Sequence, residues 1–236
     1  MVHFYFVLDN KYSFFGIIKK KVLMMSKNWD IRFENGENIL FYPHEVFVKF
    51  LSRYIKKRIG FDKFESVLTA QSGGIRGLDF GCGSGRQSVL MAEFGIEAYG
   101  VDISQRAIEI SEQMASYFDK KVNFSVYDGK NLEFPDGFFD FTACLGGVLN
   151  CIPKSELENI AKELQRITKT YICVSYIQEK IDKNGDTPNI GIEHFDCDIE
   201  KLFNKFKLID KSLFQITENG LTTISEILIF KNFLEK

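Results

Sequence analysis

Three aspartates, Asp79, Asp102 and Asp128, each close a run rich in apolar residues, and glycines at 81, 83 and 85 follow the first of them. Glycine lets a backbone turn sharply and approach a ligand without Cβ interference. A helix that opens directly after such a turn offers its N-terminal N–H groups to a carboxylate. A carboxylate at the position of Asp102 suits the two hydroxyls of a ribose. Its spacing of 17 residues from Gly85 (102 − 85) is close to the roughly 20 of a ribose-binding acid. Asp128 has the chemistry to accept from the exocyclic amine of an adenine. The stretch Leu78–Asp102 therefore has the residues of a nucleoside-binding unit.

Elements that place three acids at three successive strand tips can be read from the surrounding pattern. IRGLDF (75–80), EAYGVD (97–102), KVNFSVYD (121–128), FFDFTACL (138–145) and TYICVSYI (170–177) are expected strands. Helices are expected at 86–95, from the N-cap Ser104 to about Phe118, and at 154–168. Strands alternating with helices imply a parallel sheet covered on both faces. After a polar loop at 179–194 and a helix near 198–206, two apolar runs flank Asn219-Gly220, a strong signal for an antiparallel hairpin. The fold class is thus α/β, a doubly wound seven-stranded sheet, mostly parallel with a C-terminal antiparallel hairpin.

The N-terminal quarter is less regular. Residues 1–25 read either as an added β-hairpin around Asp9-Asn10 or as an extension ahead of a start near Met24 or Met25, poorly ordered in both cases. Residues 28–41 show no helical period and carry the turn signal Asn35-Gly36. An amphipathic helix is expected over 43–59, opened by Pro43, and a short second helix over 61–68. The domain reading is an extension at 1–25 and one domain at 26–236, comprising an N-terminal cap (26–70) and the α/β core (75–236).

Bulk properties narrow the function. A formal net charge of -2 and a pI near 6.0 lack the basic excess of a nucleic-acid binder. Five cysteines without a CxxC pair and three scattered histidines give no metal-ligand spacing. They fit a reducing, cytoplasmic setting. No apolar run is long enough to span a membrane.

These residues resemble the class I S-adenosylmethionine-dependent methyltransferases, over about Ile75 to Phe233. The family's first motif, an acid followed by GxGxG, matches Asp79-Phe80-Gly81-Cys82-Gly83-Ser84-Gly85; its ribose-binding acid matches Asp102, followed by Ile103. Its adenine-contacting acid matches Asp128, with Gly129 after it, and its fourth-strand motif runs from Phe139-Asp140 into Leu145-Gly146-Gly147. The resemblance implies a Rossmann-like methyltransferase domain with S-adenosylmethionine as cofactor. It implies cofactor contacts from Asp79, Gly81, Cys82, Gly83, Gly85, Asp102, Ile103, Asp128, Gly129 and Leu145. Trp29-Asp30-Ile31-Arg32-Phe33 loosely resembles the aromatic/Arg arm of thiopurine- and tellurite-type enzymes, which adds Trp29 and Arg32.

The acceptor is the less legible half. The NPPY- or DPPY-type motif of enzymes that methylate nucleic-acid amines is absent, and LGGVLNCIP stands in its place. The expectation is a small-molecule or metabolite/glycan acceptor methylated at oxygen or nitrogen, with no nucleic-acid or membrane partner. Asn150, Tyr176, Glu193, His194, Tyr42 and His44 are the acceptor-side candidates, and His194 is the candidate base. A GxGxxG-preferring NAD-dependent oxidoreductase, a polyamine synthase and a non-catalytic S-adenosylmethionine-binding regulator are the rival readings. Arg86 in place of a glycine counts against the first, and the intact acids count against the last.

Overall fold

The computed structural model describes residues 14–69, 73–129, 131–181, 196–218 and 221–233. Helix α1 (Phe14–Glu34) comes first, then α2 (Glu45–Phe50), which continues into a π-helical turn at Leu51–Ile55. Strands β1 (Lys56–Arg58) and β2 (Phe64–Ser66) form a small antiparallel pair. The core follows as β3 (Arg76–Phe80), α3 (Arg86–Glu93), β4 (Glu97–Asp102), α4 (Gln105–Tyr117), β5 (Asn123–Val126) and β6 (Phe139–Cys144). It ends with α5 (Val148–Cys151), α6 (Lys154–Ile167), β7 (Thr168–Ile181), α7 (Ile199–Leu202), β8 (Phe206–Glu218) and β9 (Leu221–Asn232).

The seven-stranded sheet has the order β5-β4-β3-β6-β7-β9-β8. Strands β5 through β7 are parallel, and β9 runs antiparallel to both β7 and β8. The chain leaves β3 towards β4 and later returns to its other side as β6. The tips of β3 and β6 therefore flank the switch point, where such sheets bind ligands. The expected hairpin is formed, with Glu218 paired to Leu221; its turn, Asn219-Gly220, lies outside the described residues, as does the proposed hairpin around Asp9-Asn10.

Central strand β6 is buried at every position, as expected of a parallel strand covered on both faces. The pairing of β6 with β7 shifts register between Phe139 and Phe141, where the alternation along β6 also breaks. Phe139 packs under α6 with Leu164, Ile172 and Phe203, whereas Phe141 packs on the other face with Phe50, Met91 and Cys173. The extra residue lies on β7, where Thr168 to Tyr171 takes three steps against two from Phe139 to Phe141 on β6. Helix α6 buries Leu157, Ile160, Ala161 and Leu164 at helical spacing, each large side chain contributing about 1.5–3 kcal/mol of transfer free energy.

The N-terminal segment differs from the sequence reading in three ways. Helix α1 runs through residue 25 and on across 28–34, where no helical period was expected. Tertiary docking on α4 overrides the weak local pattern: Trp29 and Phe33 pack with Ala107 and Ile110. The turn signal is instead the helix stop, with Gly36 at φ +76 and the Glu37 N–H returning to the Arg32 carbonyl at 3.0 Å. The helix expected over 43–59 ends at Ile55, and the short helix expected over 61–68 is strand β2. Phe64 of β2 lies against Phe94 (ring centroids 4.8 Å apart) and Arg58 covers both rings while pairing with Glu93, which draws this segment out as a hairpin on the end of α3.

Candidate active site

The turn after β3 is shaped by what packs around it. Gly85 has φ +82, and a Cβ there would meet Ser111 Cβ at 2.7 Å and Phe124 at 3.1 Å, so α3 starts close against α4 and β5. Gly81 has φ +74 and abuts Val148, which ties the turn to the tip of β6. Asp79 is buried beneath it and accepts from the Ser88 hydroxyl at 2.7 Å. Burial raises its carboxyl from 3.8 to about 7, reinforced by the Asp102 charge and opposed by Ser88 and Arg86. Cys82 is buried too, and burial holds its thiol well above the ordinary range, which keeps it neutral and unreactive.

Asp102 ends β4 with both carboxylate oxygens held by backbone. The Gly83 N–H donates to Oδ2 at 2.9 Å and the Ser104 N–H to Oδ1 at 2.9 Å. Burial pushes its pKa up, and the backbone donors work against that shift. Each oxygen keeps a further lone pair, so the group is fixed in position and still able to accept from a ligand hydroxyl. The loop after β6 is anchored as well: Ser175 Oγ accepts from the Gly146 N–H at 2.8 Å and the Gly147 N–H at 3.3 Å.

These parts meet around one cavity of about 400 Å³, within the size range of a small-ligand pocket. Asp79, Gly81, Cys82, Gly83, Asp102, Ile103, Gly129, Leu145 and Trp29, all singled out in the sequence, lie on its wall. Gly85 does not line it and acts by seating α3. Asp128 is exposed and off the wall, where its Oδ1 accepts from the Asn131 N–H at 3.4 Å, and its neighbours Tyr127 and Gly129 line the cavity instead. Arg32 is off the wall too. Its guanidinium lies 5.0 Å from the Trp29 ring centroid and pairs with Glu37 at 2.9 Å.

The acceptor-side candidates among the described residues are not brought to the wall. Asn150 is fully buried and spends its amide on β7, accepting from the Ile177 N–H and donating to the Ile177 carbonyl, both at 2.8 Å. The Tyr176 hydroxyl accepts from the Cys197 N–H at 3.0 Å. Tyr42 projects into solvent, and its carbonyl accepts from Arg86 at 2.9 Å. His44 stacks edge-on against Phe214, and burial lowers its pKa. Glu193 and the candidate base His194 lie outside the described residues.

Other wall residues, Phe33 of the aromatic/Arg arm apart, carried no motif that would have revealed them. Met25, Phe33, Asn38 and Leu40 come from the N-terminal segment, and Leu40 is clamped to the Gly-rich turn by donation from the Ser84 hydroxyl to its carbonyl at 2.7 Å. Arg86 and Gln87 come from the start of α3, Tyr127 from just after β5, and Val148, Ile152 and Glu156 from the segments after β6. The Asn38 Nδ2 and the Tyr127 hydroxyl are buried without a hydrogen-bond partner among the described residues, an arrangement that a bound ligand would relieve. Among the described residues there is no group of His, Cys, Asp and Glu suited to a metal ion, and no helix is long and apolar enough to cross a membrane.

Residues 78–171 match the family model described as a methyltransferase domain. Ajmaline N-methyltransferase of Rauvolfia serpentina is 28% identical over 111 residues, which make up 44% of this chain and 37% of that protein. The match thus spans well under half of this curated relative. Among solved structures, magnesium protoporphyrin IX methyltransferase from Synechocystis PCC 6803 with bound SAH aligns with a TM-score of 0.53 and 24% identity, over 66% of this chain and 74% of that one. The [4+2]-cyclase SpnF aligns with a TM-score of 0.63 and 16% identity, over 89% and 96%. At these identities the structural likeness speaks for the fold.

Proposed function

We propose that this chain is a class I S-adenosylmethionine-dependent methyltransferase that transfers a methyl group to nitrogen or oxygen of a small, largely apolar molecule. The observation that carries the reading is that the Gly-rich turn, the buried Asp102 and the Leu145-Gly146 loop all open onto one shared cavity. S-adenosylmethionine would supply a methyl group already activated by its sulfonium sulfur.

The residues fit that cofactor. Asp102, fixed by backbone donors and with lone pairs to spare, would accept from the ribose hydroxyls. Gly81 and Gly83 leave room for the backbone to approach, and the start of α3 offers N–H groups to the carboxylate. Ile103 and Gly129 would bound the adenine end, and Leu145 and Gly146 the methionine end. Asp79 beneath the turn adds negative charge near the cationic end as it ionises.

With an activated methyl group, alignment and exclusion of water lower most of the barrier, and a base is needed only where the acceptor carries a proton. Trp29, Phe33, Leu40, Val148 and Ile152 give the wall its apolar character and exclude water. That character suits an apolar acceptor, and the similarity to ajmaline N-methyltransferase supports nitrogen ahead of oxygen.

Calorimetry with S-adenosylhomocysteine and with NAD tests the cofactor, and binding of NAD without S-adenosylhomocysteine would overturn it. Incubation with a metabolite extract and isotopically labelled methyl donor, followed by mass spectrometry, tests the acceptor class. Label found only in nucleic acid would sink the small-molecule assignment.

A further inference from the structure

We infer that Asp30, on the N-terminal helix, is a positioning residue for the ribose-holding acid Asp102, acting through Ser104; this rests on the cofactor reading above. The Ser104 hydroxyl donates to Asp30 Oδ1 at 2.6 Å, and the Arg106 N–H donates to the same oxygen at 3.2 Å. Ser104 Oγ also accepts from the Ala107 N–H at 3.0 Å, as the N-cap of α4. A hydroxyl has one proton, so giving it to Asp30 fixes the rotor and turns the lone pairs towards the helix. Helix α4 therefore has two caps: its own Ser104, and a carboxylate brought from 74 residues away in the chain, where the helix dipole favours a negative charge.

Ser104 also links the cap to the site. Its backbone N–H, with the Gly83 N–H, is among the donors that fix Asp102. The connection runs from Asp30 on α1, through Ser104 at the start of α4 and Asp102 at the tip of β4, to the Gly-rich turn. Without the Asp30 carboxylate, the Ser104 hydroxyl loses its acceptor and Arg106 loses its cap. The first turn of α4 then loosens, and Asp102 is no longer held towards the ligand hydroxyls. Asp30 needs no contact with the cofactor to have this effect.

Two ligands separate this role from a general loosening of the wall: S-adenosylhomocysteine and its 2′,3′-dideoxyribose analogue, which offers Asp102 no hydroxyl. In calorimetry Asp30→Ala is expected to raise the Kd of S-adenosylhomocysteine about tenfold and to leave that of the dideoxy analogue within about twofold. Asp30→Asn keeps an acceptor oxygen and is expected to restore most of the lost affinity. Equal weakening of both ligands, or no weakening of either, would overturn the assignment. If Asp30→Ala does not fold, Ser104→Ala removes the relaying hydroxyl and must show the same split between the ligands; equal weakening there also overturns it. Failure of the unmodified protein to bind S-adenosylhomocysteine would instead overturn the cofactor reading, and this inference with it.

Discussion

Gly81 and Val148 meet with no space between them: a Cβ on Gly81 would stand 2.5 Å from Val148 Cγ2 and 2.7 Å from Cγ1. One residue turns the chain out of β3 and the other opens α5 after β6, so the two strand tips that flank the switch point are packed onto each other. Gly81→Ala adds a left-handed strain of about 1–2 kcal/mol and pushes Val148, a wall residue, into the cavity. S-adenosylhomocysteine affinity is expected to fall at least tenfold, roughly the effect of 1.4 kcal/mol, with a fall in Tm of several degrees. Adding Val148→Ala removes the clash and leaves the strain, so it should restore part of the affinity. Unchanged affinity in Gly81→Ala would mean that this contact does not shape the wall.

Asp102 has the most direct part in the proposed site. Asp102→Ala deletes the acceptor for the ribose hydroxyls and leaves the Gly83 and Ser104 N–H groups unpaired. A hydrogen bond to a charged group contributes about 1.5–3 kcal/mol, so a loss of affinity of roughly 30-fold or more is expected by calorimetry. Affinity within twofold of the unmodified protein would contradict the ribose assignment.

How much of this site is visible in sequence depends on how local its signals are. The Gly-rich turn, Asp79 and Asp102 lie within 24 residues of each other (102 − 79 = 23 steps), in a strand–turn–helix–strand unit whose pattern fixes their relative placement. The closing hairpin was similarly legible from Asn219-Gly220 and its flanking apolar runs. Asp128 shows the limit of tip counting. It follows the short edge strand β5, and there the backbone turns Tyr127 and Gly129 to the cavity and leaves Asp128 in solvent. Helix α1 was hidden because its stability comes from docking: Asp30 on Ser104, and Phe33 against Ala107 and Ile110. Asn150 and Tyr176 looked like acceptor-side groups because a sequence cannot show that β7 and the Cys197 N–H already occupy their polar atoms.

Trp29 provides a spectroscopic test of the N-terminal wall. It is the chain's sole tryptophan and lines the cavity, with the Arg32 guanidinium 5.0 Å from its ring centroid. Titration with S-adenosylhomocysteine is expected to change its emission in a saturable way, with a midpoint matching the calorimetric Kd. An emission spectrum unmoved at saturating ligand would place the ring away from the bound molecule. Trp29→Ala removes apolar wall and is expected to weaken binding by about three- to tenfold, the scale of a partly buried aromatic contact worth roughly 0.5–1.5 kcal/mol.

Asp79 makes the site sensitive to pH. Burial raises its carboxyl from 3.8 to about 7, so folding favours the protonated form. That contribution to stability is fully present below about 3.8 and is lost as the pH rises through about 7. Asp79→Asn is neutral throughout and can still accept from Ser88. It is therefore expected to be more stable than the unmodified protein at pH 8, with the difference shrinking towards pH 4. At 1.36 kcal/mol per pKa unit the gain has a ceiling of about 4 kcal/mol, and relaxation around the site brings the expected value to about 1–3 kcal/mol. Ligand binding should show the opposite sign. The positive charges of S-adenosylmethionine favour the ionised carboxylate, so its affinity should rise between pH 6 and pH 8, and this rise should vanish in Asp79→Asn. Urea denaturation and calorimetry across that range test both halves. Parallel stability profiles for the two proteins from pH 4 to pH 8 would show that Asp79 ionises as an ordinary carboxylate and does not tune the site.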